Sequence, residues 1–450
     1  MATLATPDQE MVAAVHHDHA APTSRRIETL DVVRGVALFG ILLMNITGFG
    51  IPASYSNPTN WGGAEGANLW SWIITQVGFE GTQRGLFSIL FGAGVILFTA
   101  RLEAAGRTDT ADIYFRRNLL LVGFGLFNAF ILLWGGDILF YYGVTALFIY
   151  VFRNLPPHKL LIIGVGGLLL GMAWNANDNR QLLNLHDDYR AASAAKASGA
   201  TLTLEQTKNI EQWEAKLKEH KPPREELVER IKTRTAGYGP AFFRQAEHMP
   251  EAEAWGLYRY FFDVFGMMII GMALFKWGVL TLERPTRLYL GMMLGGYAVG
   301  LTTNVMETRW IMSHDFSLLA YSQADITYDL GRLTMTVGHL GALLLFVRSG
   351  VLPTLRHSLA AVGRMAFTNY LMHSLICLIL FVLLGWYGAL ERHQLYYVVF
   401  AIWAGQLIVS PIWLQHYRFG PMEWLWRYMT YGSRPAMRRA PASGAAVAAA

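Results

Sequence analysis

VRGVALFGILLMNITGFGIPA, residues 33–53, carries a single charge, Arg34, in twenty-one positions. An α-helix rising about 1.5 Å per residue needs roughly 20 residues to cross the roughly 30 Å of a bilayer's hydrocarbon, so this stretch reads as a membrane span. Nine more apolar runs follow at 70–100, 114–134, 138–153, 159–176, 255–280, 287–306, 328–348, 357–385 and 395–416. The composition agrees: 53% of the 450 residues are hydrophobic and only 15% charged, too apolar for a soluble chain of this length. The expected fold is an all-α integral membrane protein, a bundle of about ten transmembrane helices with a helical extracytoplasmic insertion.

Charge along the connections gives an orientation. With the N-terminus in the cytoplasm, the inside connections hold Arg101, Arg107, Arg116 and Arg117, then Arg153 and Lys159, then Lys276, Arg284 and Arg287, while 54–69 and 135–137 on the outside hold no Lys or Arg. The positive-inside rule therefore places both termini in the cytoplasm. Trp61, Trp70, Trp72, Trp134, Trp386 and Tyr387 at outer ends, with Trp413 and Trp424 at inner ends, read as interfacial belts. The net charge of +5 is spread over short loops and makes no basic face for nucleic acid. A lone cysteine, Cys377, excludes an internal disulfide and a multi-cysteine metal centre.

Five segments follow: a disordered cytoplasmic tail over 1–24, helices one to five over 25–176, an extracytoplasmic insertion over 177–254, helices six to ten with an inner-face segment over 255–427, and a second tail over 428–450. His16, His17 and His19 read as solvated tail, not a metal site. Ser24-Arg25-Arg26 loosely matches a twin-arginine signal, but Glu28, Asp31 and Arg34 follow it, so an anchor before an uncleaved helix is expected. Within the insertion, Thr203–His220 and Arg224–Thr235 have helical composition and Pro223 suits a helix start, which predicts a hairpin. It serves either as a lid or as a connector.

Charged and strongly polar groups inside spanning helices cost about 2.5–3.5 kcal/mol each, so those retained are candidates for function. They are Arg34 and Asn45, eleven residues apart and returning to nearly one face; Glu80 and Arg84, at i,i+4 and expected to form an intrahelical ion pair; Asp137 at a helix junction; Asp263; Asp329, Arg332 and His339; and Asn369 with His373, again at i,i+4. On the expected topology several of them share a depth, as a common cavity requires; the alternative is a set of separate helix–helix ties. Phosphate-binding, zinc-peptidase and nucleophile-elbow motifs are absent. Gly92-Ala93-Gly94 and Gly164–Gly167 fit close helix packing.

The opening Arg26-Ile-Glu-Thr-Leu-Asp31-Val-Val-Arg34-Gly35, running on to Asn45, resembles the YeiB-like bacterial membrane proteins, a domain of unknown function. Arg84–Gly94, Gly136-Asp137, Gly363–Tyr370 and Phe419–Arg427 are similar to the same family. More distantly, the Arg34–Asn45 spacing resembles the first helix of transmembrane acyltransferases, among them the lysosomal heparan glucosaminide N-acetyltransferase and the acyltransferase-3 proteins. In acyltransferase-3 proteins a histidine stands where this chain has Asn45, and asparagine cannot act as a base at neutral pH. The resemblance thus implies acyl transfer from a cytoplasmic acyl-CoA to an acceptor at the outer face, with Glu80, His373 or His339 as base. Arg34, Asn45, Arg84, Asp137, Asp263, Arg332, Arg364 and Asn369 would line the substrate path, the arginines contacting phosphates or carboxylates. Expected partners are membrane lipids, a small-molecule, lipid or glycan acceptor and a second copy of the chain, with no metal or redox cofactor, in the bacterial cytoplasmic membrane. A transporter or lipid-intermediate translocase is the alternative, although no internal repeat of the kind many transporters carry is evident.

Overall fold

A computed structural model describes residues 23–53, 55 and 57–439. The expected N-terminal tail with its histidines and the alanine-rich end from Ala440 fall outside these residues, except for positions 23 and 24. The described chain is α-helical throughout: α1 (Thr23–Gly50), α2 (Gly66–Gly78), α3 (Thr82–Ala104), α4 (Thr110–Phe130), α5 (Leu139–Ile149), α6 (Pro157–Ala197), α7 (Leu204–His220), α8 (Arg224–Thr235), α9 (Tyr238–Lys276), α10 (Thr286–Ser313), α11 (Leu318–Ser349), α12 (Pro353–Arg364), α13 (Ala366–Cys377), α14 (Arg392–His416) and α15 (Pro421–Tyr431). Seven stretches are long and apolar enough to cross a membrane, and Leu139–Phe152 is a shorter apolar one. The chain is an all-α membrane protein, and each of the ten apolar runs falls on helix.

Two runs are not single helices. Residues 70–100 divide into α2 and α3 at Phe79–Gly81, where Gly81 takes φ +67°. A β-carbon there would overlap the Arg332 side chain and the Tyr328 hydroxyl, so only glycine admits both the turn and the approach. Residues 357–385 divide at Met365 into α12 and α13, and α13 passes into a π-helical turn, Leu378–Leu383. Glu423 of α15 holds this second break: its carboxylate accepts from the Phe367 N–H at 2.7 Å, the Thr368 N–H at 3.0 Å and the Thr368 hydroxyl, satisfying donors at the start of α13. Replacing Glu423 with alanine should therefore lower stability by about 0.5–2 kcal/mol in equilibrium unfolding of the detergent-solubilised protein.

α1 is buried on nearly every side, with Leu38, Leu42 and Ile46 fully enclosed, as expected of a helix apolar all round. It packs on α12, α3, α14 and α13; α3 and α6 pack on α9; α10 pairs with α11 and α4 with α5. α6 and α14 are peripheral, and Leu169, Leu170, Ile408 and Val409 stand more than half exposed where lipid chains would cover them. Two of the tryptophans expected at an interfacial belt are instead core: Trp72 lies against Phe316 at 5.3 Å and Trp134 stacks on Phe49 at 3.7 Å. Aromatic burial outweighs the interface preference where a neighbouring ring is available.

Glycine sets the tightest crossing. A β-carbon at Gly92 would overlap the Met268 carbonyl and one at Gly271 the Ile89 carbonyl, so α3 and α9 meet backbone to backbone. Gly94, two residues on, faces open space. Gly92→Ala should cost about 1–3 kcal/mol through overpacking, while Gly94→Ala should be neutral or stabilising; equal melting temperatures for the two variants would contradict this packing.

α6 and α9, at 41 and 39 residues, run about 60 Å, twice the thickness of a bilayer core. Neither breaks at 176 or 254, the ends expected for the insertion; both project beyond the bundle and carry the α7–α8 hairpin between them. Thr203 and Gln206 form a capping box at the start of α7, and Pro223 precedes the first residue of α8. The hairpin is tied down: His220 lies 2.8 Å from the Phe316 carbonyl, Asn60 donates to the His220 carbonyl at 3.1 Å, and Arg234 donates to the Leu133 carbonyl at 3.0 Å. At the opposite end, the residues after α15 are held, not free as expected of a tail beginning at 428. The Arg418 N–H donates to the Met437 carbonyl at 2.9 Å and Trp424 Nε1 to the Pro435 carbonyl at 2.8 Å.

Candidate functional site

The break between α2 and α3 faces a buried cluster of charge. Arg84, on the first turn of α3, donates through Nε to Asp263 Oδ2 of α9 at 3.1 Å. Arg332 of α11 donates to the other Asp263 oxygen and to Asp329 Oδ1 at 2.8 Å, and Asn175 of α6 donates to Asp329 Oδ2 at 3.1 Å. Asp263 and Arg332 are almost wholly buried. Four helices thus meet in two acids and two guanidiniums, a balanced set that keeps each buried charge paired. Arg332 nevertheless has Nε and Nη1 buried without a hydrogen-bond partner among the described residues.

The expected ion pair of Glu80 with Arg84 does not form. Glu80 lies in the break, before α3 begins, so the i,i+4 geometry is lost. Tyr328 joins them instead, donating to Glu80 Oε1 at 2.9 Å and accepting from Arg84 Nη2 at 3.3 Å. Arg84 also lies over the Tyr260 ring, 4.3 Å from its centre. Tyr55, on the loop after α1, stands near Glu80, Tyr260 and Tyr328 and is 40% exposed, so this cleft between α3, α9 and α11 lies beneath the loop that follows α1. Glu80, part-exposed, forms no ion pair among the described residues.

The histidines have other work. His339 Nε2 lies 2.8 Å from the Gly78 carbonyl and Nδ1 3.0 Å from the Tyr297 hydroxyl. Together with Asn304, which donates to the Val77 carbonyl at 2.8 Å, it satisfies carbonyls left open where α2 ends. Both ring nitrogens are hydrogen-bonded, to Gly78 and to Tyr297, and neither bond reaches Glu80 or Arg84. His373 is 2% exposed, with Nε2 3.0 Å from Gln406 Oε1; Gln406 donates to the Asn369 carbonyl at 3.2 Å and Asn369 to Ser410 Oγ at 3.1 Å. This ladder ties α13 to α14, and none of its bonds reaches the charge cluster. Asp137, fully buried in the α4–α5 turn, accepts from Asn128 at 2.8 Å, the Phe140 N–H at 2.8 Å and Tyr370 at 3.1 Å. Burial pushes its carboxyl up to about 7, and these hydrogen bonds work against that rise.

Of the expected set, then, Glu80, Arg84, Asp263 and Arg332 come together with Asp329. Asn369 and His373 form a second group and Asp137 a third. Asn45 is part-buried with no hydrogen bond among the described residues, and Arg34 and Arg364 lie at the far end of α1 and α12. Sequence reasoning missed Tyr328, Tyr260 and Asn175. A signal was present: Tyr321, Asp325, Tyr328, Arg332, Thr336 and His339 recur at helical spacing and mark a polar face along α11.

Comparison with known proteins places the chain. The family described as "Protein of unknown function (DUF418)" matches residues 274–433. The uncharacterized protein YeiB of Escherichia coli (strain K12) is 32% identical over 419 residues, 89% of this chain and 95% of that protein. The chain belongs to the YeiB family. A second YeiB-family relative, the uncharacterized protein YxaH of Bacillus subtilis (strain 168), is 28% identical over 430 residues, 91% of this chain and 95% of its own. No solved structure matches.

Proposed function

We propose that this YeiB-family protein is a transmembrane acyltransferase, with Glu80 as the general base of the cleft at the α2–α3 break. The supporting observation is the hydrogen-bonded line Glu80–Tyr328–Arg84–Asp263. A carboxylate without a cation of its own stands beside a guanidinium fixed by an acid, and only Nε and Nη2 of that guanidinium are engaged. An acceptor hydroxyl or amine would give its proton to Glu80 as its oxygen or nitrogen bonds to the thioester carbonyl carbon. Arg84 would stabilise the negative charge developing on the carbonyl oxygen, and the proton would pass to the leaving thiolate as the C–S bond breaks. In this reading acyl-CoA approaches from the cytoplasm, both termini are cytoplasmic in the bacterial inner membrane, and the hairpin side with its lipid, glycan or small-molecule acceptor faces out. Release of free thiol from an acyl thioester by purified protein, dependent on acceptor, is the test; no release with any acyl thioester would count against the proposal.

The second reading, transport, is favoured by one observation. Glu253 of α9 is 5% exposed and its neighbour is the neutral Tyr141 hydroxyl, not a cation. It lies within electrostatic reach of Asp137, and neither acid forms an ion pair among the described residues. Buried acids without a cation are a frequent element of proton paths.

A further inference from the structure

The end of the bundle away from the hairpin gathers arginines from five helices: Arg34 (α1), Arg101 (α3), Arg117 (α4), Arg364 (α12) and Arg427 (α15). They are brought together by close backbone packing. A β-carbon at Gly35 would overlap the Leu359 carbonyl, and one at Gly363 the Asp31 carbonyl, so α1 and α12 touch and set Arg34 and Arg364 side by side. Asp31 pairs with Arg34 at 2.8 Å and lies within electrostatic reach of Arg364 and Arg101. Arg117 in turn lies within reach of Arg34 and Arg427. Glu423, the one acid of α15, accepts its hydrogen bonds from the start of α13. Arg34, Arg364 and Arg101 therefore face the single carboxylate of Asp31, with Arg117 and Arg427 next to them.

Arg117 is the most telling of them. Its guanidinium lies 3.6 Å from the centre of the Trp426 ring and 5.0 Å from that of Phe98. Trp426 is itself fixed by donating Nε1 to the Arg117 carbonyl at 2.9 Å. Stacking engages the faces of the guanidinium and leaves its in-plane N–H donors open, the geometry that suits a phosphate fork. Among the described residues the side chains of Arg101, Arg117, Arg364 and Arg427 make no hydrogen bond or ion pair. Like charges held together without partners repel, and an anion removes that cost.

We propose that this end of the bundle binds an anion carrying two or more phosphate groups, with Arg34, Arg117 and Arg364 as its principal ligands. The inference stands on the arginines and is independent of the acyl-transfer reading. Such phosphates come either from a soluble pyrophosphate-containing ligand or from the headgroups of anionic lipid. The full chain in neutral detergent should be titrated calorimetrically with inorganic pyrophosphate and, in parallel, with phosphatidylglycerol in mixed micelles. Saturable binding of pyrophosphate that weakens with salt, and falls at least about tenfold in Arg117→Gln and in Arg364→Gln, is the expected result. Binding of phosphatidylglycerol alone, with the same losses, would support the site and assign it to lipid. Should Arg117→Gln unfold, Arg364→Gln, whose side chain is exposed, carries the test. No saturable binding of either probe, or binding indifferent to both substitutions, would overturn the proposal. Glu80→Gln should leave this binding intact, so failure of the cleft chemistry and failure of the phosphate site are separable.

Discussion

Asp263→Ala is expected to be the most destabilising single substitution in the interior, costing about 3–5 kcal/mol. Asp263 accepts from both Arg84 and Arg332. Its removal leaves two guanidiniums desolvated, with only Asp329 able to reach Arg332. The loss comes from the uncompensated charges more than from the strength of the pair, because bringing an isolated ion into a low-dielectric interior costs several kcal/mol. A paired replacement tests that account. Asp263→Leu combined with Arg84→Met should recover much of the stability, since Arg332 keeps Asp329 and no guanidinium is left without an ion-pair partner. Equilibrium unfolding in detergent measures both. A double variant as damaged as the single one would mean that packing volume, not charge, dominates at this crossing.

The largest effect on activity is expected at Glu80. Glu80→Gln preserves the side chain's shape and lets an amide take the place of the carboxylate beside Tyr328, but removes the proton acceptor. Transfer should fall at least about 100-fold, with the fold unchanged. His373→Gln should matter far less, because the imidazole is enclosed between α13 and α14 and bonded to Gln406. If His373→Gln abolished transfer while Glu80→Gln did not, the base would lie in the α13–α14 ladder and the cleft would be structural.

How far the sequence revealed this arrangement depends on the kind of interaction. Apolar runs of span length located the helices, because membrane burial acts on each run by itself. The hairpin was legible from the helical composition of Thr203–His220 and Arg224–Thr235 and from Pro223, since turn chemistry is local. The break at Phe79–Gly81 was not: Phe79 and Gly81 sit inside an apolar run, and what stabilises the break is distant, His339 and Asn304 taking the open carbonyls of α2 and Tyr328 and Arg332 filling the space beside Gly81. The same break decided the site. Spacing alone made Glu80 and Arg84 neighbours on one helix, whereas the turn separates them and passes their interaction through Tyr328 of α11. Arg84, Asp263 and Arg332 could be named from their cost in a membrane, yet the partner of each was a tertiary fact. Trp72 and Trp134 fail as belt residues for the same reason, being claimed by Phe316 and Phe49.

Covalent acyl transfer across the membrane is the chemistry proposed for the cleft at the α2–α3 break. Its most direct test is a two-compartment measurement in oriented proteoliposomes, with a labelled acyl thioester on the side of the termini and an acceptor on the hairpin side. Covalent acylation of the acceptor by the wild type, with stoichiometric thiol release and its loss in Glu80→Gln, is the predicted result. Passage of a solute across the bilayer with no acylated product, unaffected by Glu80→Gln, would contradict it.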